Sequence, residues 1–132
     1  MEEKKITTKE RLQIPPVPMP QQDHRERIHN VNEVPLGFTA EMAREESQRC
    51  LQCKNAPCIK GCPVAIDIPA FIAHIIEGKY RESINKIKET NILPAVCGRV
   101  CPQEEQCQKS CVVGKSHKDV AKAVQIGKLE RF

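Results

Sequence analysis

The chemistry of this 132-residue chain is concentrated in eight cysteines, which fall in two blocks. The first block reads Cys50-x2-Cys53-x4-Cys58-x3-Cys62-Pro63, and the second Cys97-x3-Cys101-Pro102-x4-Cys107-x3-Cys111. A thiolate is a soft, electron-rich donor for iron or zinc, and ligands a few residues apart reach one centre at small loop-closure cost. Structural zinc modules pair one C-x2-C with another, whereas this chain has a single C-x2-C, from Cys50 to Cys53. Disulfides are disfavoured because Met1-Glu2-Glu3-Lys4-Lys5 leads into no apolar leader, and thiols that are not exported stay reduced. The pattern points to two iron–sulfur clusters in a cytoplasmic protein.

Two assignments of cysteine to cluster are open. In the simple one, each block serves its own cluster. However, both blocks contain a Cys-Pro pair, and in two-cluster ferredoxin runs the cysteine before proline ligates the other cluster. Cys62 is that residue here. If it crosses over, Cys50, Cys53 and Cys58 need a donor from the second block, and Cys111 is the natural return.

The elements that must carry these residues read as helices throughout. Residues 1–38 hold Pro15, Pro16, Pro18, Pro20 and Pro35 and form an extended arm, its first ten or so residues the most mobile. Ile28, Val31, Val34, Leu36 and Phe38 give the arm's second half something to bury. Thr39 is a good N-cap for a helix from Ala40 to about Cys50. Residues 50–63 are an irregular loop. Asp67 and Pro69 open the next helix and Gly78 closes it, with Ile68, Phe71, Ile72, Ile75 and Ile76 at the spacing of one buried face. A further helix runs from about Lys79 to Thr90, with Tyr80, Ile84 and Ile87 inward. Pro102 starts a short helix carrying Cys107 and Cys111 on one face, and a last helix runs from about Lys118 to the end. No segment alternates with strand period, so the fold class is all-α. The run Glu41, Arg44, Glu45, Glu46, Arg49 reads as a solvated face, and His24, His29, His74 and His117 as dispersed surface residues.

Several function classes are excluded. No two of the six glycines make a G-x-G, so the chain has no dinucleotide loop of its own and no catalytic site. The formal charge of +4 does not signal nucleic acid. Two 4Fe–4S cores add about +4 and seven thiolates about −7, leaving the loaded domain at about +1. Stacking aromatics are also scarce, with three Phe, one Tyr and no Trp. No apolar run approaches a membrane span.

The chain resembles the N-terminal domain of the NADPH-dependent glutamate synthase small subunit. That domain is shared with dihydropyrimidine dehydrogenase and the large subunit of NADH-dependent ferredoxin–NADP oxidoreductase. The segments that carry the resemblance are EVPLGFT at 33–39, RCLQCKNAPCIKGCPVAIDIPAFI at 49–72, NILPAVCGRVCPQEEQC at 91–107 and QIGKLERF at 125–132. It implies an α-helical ferredoxin domain over 39–132 with two 4Fe–4S clusters, behind the arm of residues 1–38. It further implies that Cys50, Cys53, Cys58 and Cys111 hold one cluster, and Cys62, Cys101, Cys107 and Glu130 the other. Cys97 matches a cysteine that is not a ligand. Ser83 stands where the family usually has Ala. In the last helix Ala123, Ile126 and Gly127 share a face with Glu130, a small apolar stripe on which an acid needs a cationic partner. The matching chains continue into FAD- and NADPH-binding domains, so the resemblance implies a piece of a larger oxidoreductase. The expected partners are those flavoprotein domains and a glutamate synthase large subunit or its equivalent. A structural module organised by metal without redox turnover is the alternative.

Overall fold

Thr39 is extended, and its hydroxyl accepts from the Met42 N–H, which starts helix α2, Ala40–Gln48. Asp67 caps α4, Ile68–Ile76, in the same way through the Ala70 N–H, with Pro69 in the first turn. At the other end of α4, Gly78 takes φ +72°, while the Gly78 and Lys79 N–H groups bond back to Ile75 and His74. This left-handed glycine closes a Schellman motif. It turns the chain directly into α5, Tyr80–Lys88, which packs on α4.

The computed structural model of the protein describes residues 6–132. The other helices among them are α1 (Thr8–Gln13), α3 (Pro57–Gly61), α6 (Pro94–Val100), α7 (Val112–Ser116) and α8 (Ile126–Arg131), with 3-10 turns at Arg27–His29 and Val120–Lys122. No strand occurs among the described residues, only one isolated bridge between Gln21 and Pro35. The all-α expectation therefore holds. The core is the α4 stripe of Ile68, Phe71, Ile72 and Ile75, joined by Ala43, Ile87, Val113, Val124, Ile126 and Leu129.

Several expectations are corrected. Tyr80 does not point inward: it is 41% exposed and meets the Phe132 ring edge-on at 5.3 Å. Ser83 takes the buried place on α5, its hydroxyl donating to the Phe71 carbonyl at 2.9 Å. In the arm, Phe38 is buried, but Ile28, Val31 and Leu36 are exposed. The loop satisfies its backbone internally through Gln22 N–H to Val34 and Leu36 N–H to Pro20, and this pairing turns those side chains out. The apolar anchor of the arm is Val17 instead. The arm is also not wholly extended, since a capping box of Thr7 and Glu10 starts α1. Residues 1–5 lie outside the described residues.

The largest correction concerns the charged run on α2. Glu46 and Arg49 are 0% and 1% exposed and form an ion pair at 2.5 Å. The Glu46 carboxylate also accepts from the Val17 N–H, the Gln125 N–H and the Gln125 amide. Arg49 donates to the carbonyls of Ile14, Lys122 and Ala123. This explains why no continuous helix runs from Lys118: the Lys122 and Ala123 carbonyls are bonded to Arg49 and the Gln125 N–H to Glu46, and Ala123 is extended. Arg131 of α8 holds the arm from the other side, donating to the Pro35 carbonyl at 2.7 Å and pairing with Glu33.

Removing one partner of a buried pair leaves an uncompensated charge. Arg49→Met is expected to cost about 3–5 kcal/mol in chemical denaturation. Lys109→Met, at the exposed pair with Glu105, should leave the midpoint where it was. Equal effects of the two variants would refute the role of Arg49.

Candidate metal centres

Cys50 follows α2, Cys53 lies in the next loop, Cys58 sits in α3, and Cys111 precedes α7 as its N-cap. Although it belongs to the second block, Cys111 joins the other three around one small pocket, walled by Ile68, Ile72, Val124 and Ile126. Burial pushes the Cys50 thiol up to about 11, aided by the charges of Cys111 and Cys53. Cys58 is pushed up to about 12 by burial and by Cys50, Cys111 and Cys53. Cys53 is raised by burial and then by Cys111. Three thiols that resist ionisation, grouped with Cys111, are a site in want of a cation.

The loop carries left-handed non-glycine residues, Gln52 at φ +53° and Ala56 at φ +25°. Such conformations cost energy and cluster where geometry serves a site. Here the Gln52 N–H is turned to Cys50, where it favours the thiolate. Arg11 of α1 reaches the same place: its Nη1 donates to the Gln48 and Cys50 carbonyls at 2.8 and 2.9 Å. Its charge also lowers the Cys50 thiol. Nothing in the sequence marked Arg11, because the contact spans 37 to 39 residues and has no local pattern.

A second group forms from Cys62 after α3, Cys101 after α6, Cys107 and Glu130 of α8. Burial pushes Cys107 up to about 12, with further increments from Cys62 and Glu130. Cys101 is raised by burial, then by Cys97, Glu130 and Cys62. Glu130 is 9% exposed, and burial pushes its carboxyl up to about 7 against a hydrogen bond from Asn91. Cys97 stands in α6 beside Cys101, its thiol directed to the Asn91 Oδ1 at 3.7 Å.

The expected short helix bearing Cys107 and Cys111 on one face is corrected. Residues 103–110 form successive turns, with the Gln106 and Gln108 N–H groups both bonded to Gln103. These turns send Cys107 to one group and Cys111 to the other. The structure thus brings Cys111 to Cys50, Cys53 and Cys58 of the first block, and sets Cys62 and Glu130 near Cys101 and Cys107, with Cys97 beside Cys101. Among the described residues no three Cys, His, Asp or Glu side chains converge on a single-ion site.

Glycines set the approach of the pieces. A Cβ on Gly98 would lie 2.7 Å from the Arg131 nitrogen and 2.8 Å from the Gly127 carbonyl oxygen, so its absence lets α6 cross α8 backbone to backbone. That crossing holds Glu130 over the end of α6. A Cβ on Gly61 would meet the Gln106 carbonyl oxygen at 2.7 Å, so this glycine brings the two cysteine blocks together.

Comparison with known proteins points to 4Fe-4S chemistry for this domain. The family model for dihydropyrimidine dehydrogenase domain II, 4Fe-4S cluster, matches residues 27–132. The NAD-dependent dihydropyrimidine dehydrogenase subunit PreT of Salmonella typhimurium is 38% identical over 114 residues, covering 86% of this chain and 25% of its own length. The glutamate synthase [NADPH] small chain of Azospirillum brasilense is 36% identical over 107 residues, covering 81% of this chain and 22% of its own. The corresponding chain of Escherichia coli is 40% identical over 95 residues, covering 72% and 19%. The chain spans about a quarter of the length of these curated relatives.

The two glycines on the α6–α8 crossing should respond differently to a methyl group. At Gly98 the new Cβ meets backbone that cannot yield without moving α8, whereas at Gly127 it meets the movable side chain of Gln103. Gly98→Ala is expected to lose about 1–3 kcal/mol of stability from overpacking. Gly127→Ala should lose less, because helix propensity returns up to about 1 kcal/mol. The denaturation midpoints of the two variants check this, and the reverse order would contradict it.

Proposed function

The chain belongs to the 4Fe–4S cluster family of dihydropyrimidine dehydrogenase domain II, and on that premise we propose that it transfers electrons through two clusters inside a larger oxidoreductase. The observation that supports the reading is that Cys111 lies with Cys50, Cys53 and Cys58, while Cys62 of the first block lies near Cys107 of the second. In this proposal Cys50, Cys53, Cys58 and Cys111 hold the first cluster. Cys62, Cys101, Cys107 and Glu130 hold the second. When bound, the clusters supply reversible one-electron transfer.

The chain's own residues set the conditions for that transfer. Ile68, Ile72, Val124 and Ile126 exclude water from the first site. The Gln52 and Gln108 N–H groups favour the thiolates of Cys50 and Cys107, which offsets accumulated negative charge. Glu130 donates less charge than a fourth thiolate, so the two sites differ in potential and the second is the more labile. Residues 1–38 serve as an arm to a cluster domain of residues 39–132. No helix among the described residues is long and apolar enough to cross a membrane.

The parent reaction follows from these relatives and is part of the proposal. A reduced nicotinamide cofactor would deliver electrons to a flavin in further domains, and these residues would pass them toward a partner. The relatives named for glutamate synthase and for dihydropyrimidine dehydrogenase match at similar identity. The proposal therefore takes the class of reaction from them and not one substrate; the wording GRVCPQEEQC and LERF inclines it toward glutamate synthase.

Anaerobic preparation should give about eight irons and eight sulfides per chain, and a reductive titration should bleach the visible absorption. Redox-silent metal, or zinc without sulfide, would overturn the proposal. Cys97→Ser is expected to keep both clusters, whereas Cys101→Ser and Glu130→Ala disturb the second only. Loss of a cluster from Cys97→Ser would return that residue to the ligand set.

A further inference from the structure

Asn91 lies just past α5, where its N–H bonds to the Ile87 carbonyl at 3.0 Å. It is 6% exposed, and its side chain belongs to none of the candidate donors. Its amide joins three groups. The Oδ1 accepts from the Leu93 N–H at 3.0 Å, at the turn that starts α6. The same oxygen faces the Cys97 thiol at 3.7 Å. The Nδ2 donates to Oε1 of Glu130 at 2.8 Å.

The orientation of this amide is decided by its partners. A backbone N–H can only donate, so Leu93 requires the oxygen on its side, and the nitrogen is thereby directed at Glu130. The amide consequently treats its two neighbours differently. It supports the carboxylate with a donor, which leaves Glu130 as an acceptor whose charge bears on Cys101 and Cys107. Cys97 instead meets an acceptor, toward which its S–H is the donor.

We propose that Asn91 selects the fourth donor of the second site, aiming the Glu130 carboxylate at it and engaging the neighbouring Cys97 thiol on its own amide oxygen. This inference rests on the reading of Glu130 as a ligand. Asn91 is a positioning residue and touches no electron carrier itself.

The test uses the full chain, loaded anaerobically, with the first cluster as an internal standard. Asn91→Asp keeps the oxygen for Leu93 but turns a second oxygen on Glu130. Asn91→Ser shortens the side chain beyond reach of Glu130 without adding charge, and serves if the aspartate variant does not fold. Iron content, electron paramagnetic resonance of the reduced form and the midpoint potentials are measured. Either variant is expected to retain both clusters while the second changes its spectrum and becomes harder to reduce. A tenfold change in its one-electron equilibrium, about 59 mV, is the expected scale. Adding Cys97→Ser to either variant should then remove the second cluster. An unchanged second cluster, or its outright loss before Cys97 is altered, overturns the inference. Glu130→Ala, measured alongside, separates the two claims: if it too leaves the second cluster unchanged, the carboxylate reading itself has failed.

Discussion

Glu46 in the last turn of α2 and Arg49 at its C-cap are both buried, and between them they bond to the arm at Ile14 and Val17 and to the C-terminal segment at Lys122, Ala123 and Gln125. Two charges removed from water are costly, and a pair repays that cost only when its remaining donors and acceptors are met. Here backbone groups from opposite ends of the chain meet them. The consequence reaches both candidate centres. Arg49 immediately precedes Cys50, and the segment bonded to the pair contains Val124, which walls the first cavity, before leading into α8 and Glu130. With the pair in place, the two ends of the chain cannot shift independently of α2.

The second constraint is the crossing of donors between blocks that we propose. On that reading Cys111 serves the first block and Cys62 the second, so neither loop is complete alone and loading either site ties both loops. Burial opposes ionisation of Cys50, Cys58 and Cys107. Cation binding therefore supplies folding energy as well as chemistry. Gly61 and Gly98 permit the close approaches on which this interleaving depends. The same approach brings Asn91, Cys97 and Glu130 into one network.

Local signals carried much of this into the sequence. Thr39, Asp67 and Gly78 act through neighbours within a few residues, so the bounds of α2 and α4 could be read from them. The α4 stripe was legible because a period of 3.6 residues is a property of the helix itself. The Cys-Pro pattern suggested that Cys62 and Cys111 change places, and the family resemblance supplied the full donor sets now proposed, Glu130 among them. What escaped were partners distant in sequence. Glu46 and Arg49 have the composition of a solvated face and are buried only because Gln125 and the arm arrive. Tyr80 was placed inward by period, whereas Ser83 holds that place through a bond to the α4 backbone. The break at Ala123, and the turns that part Cys107 from Cys111, follow from bonds no local pattern encodes.

The central claim is that the blocks exchange donors, and Cys111 tests it most directly. The reduced Cys111→Ala chain, loaded anaerobically, should show one surviving cluster by electron paramagnetic resonance. Its spectrum should coincide with that of Cys53→Ala, whose residue belongs to the other block. A surviving spectrum that instead matches Cys101→Ala would mean that each block serves its own cluster, and would contradict the exchange of donors.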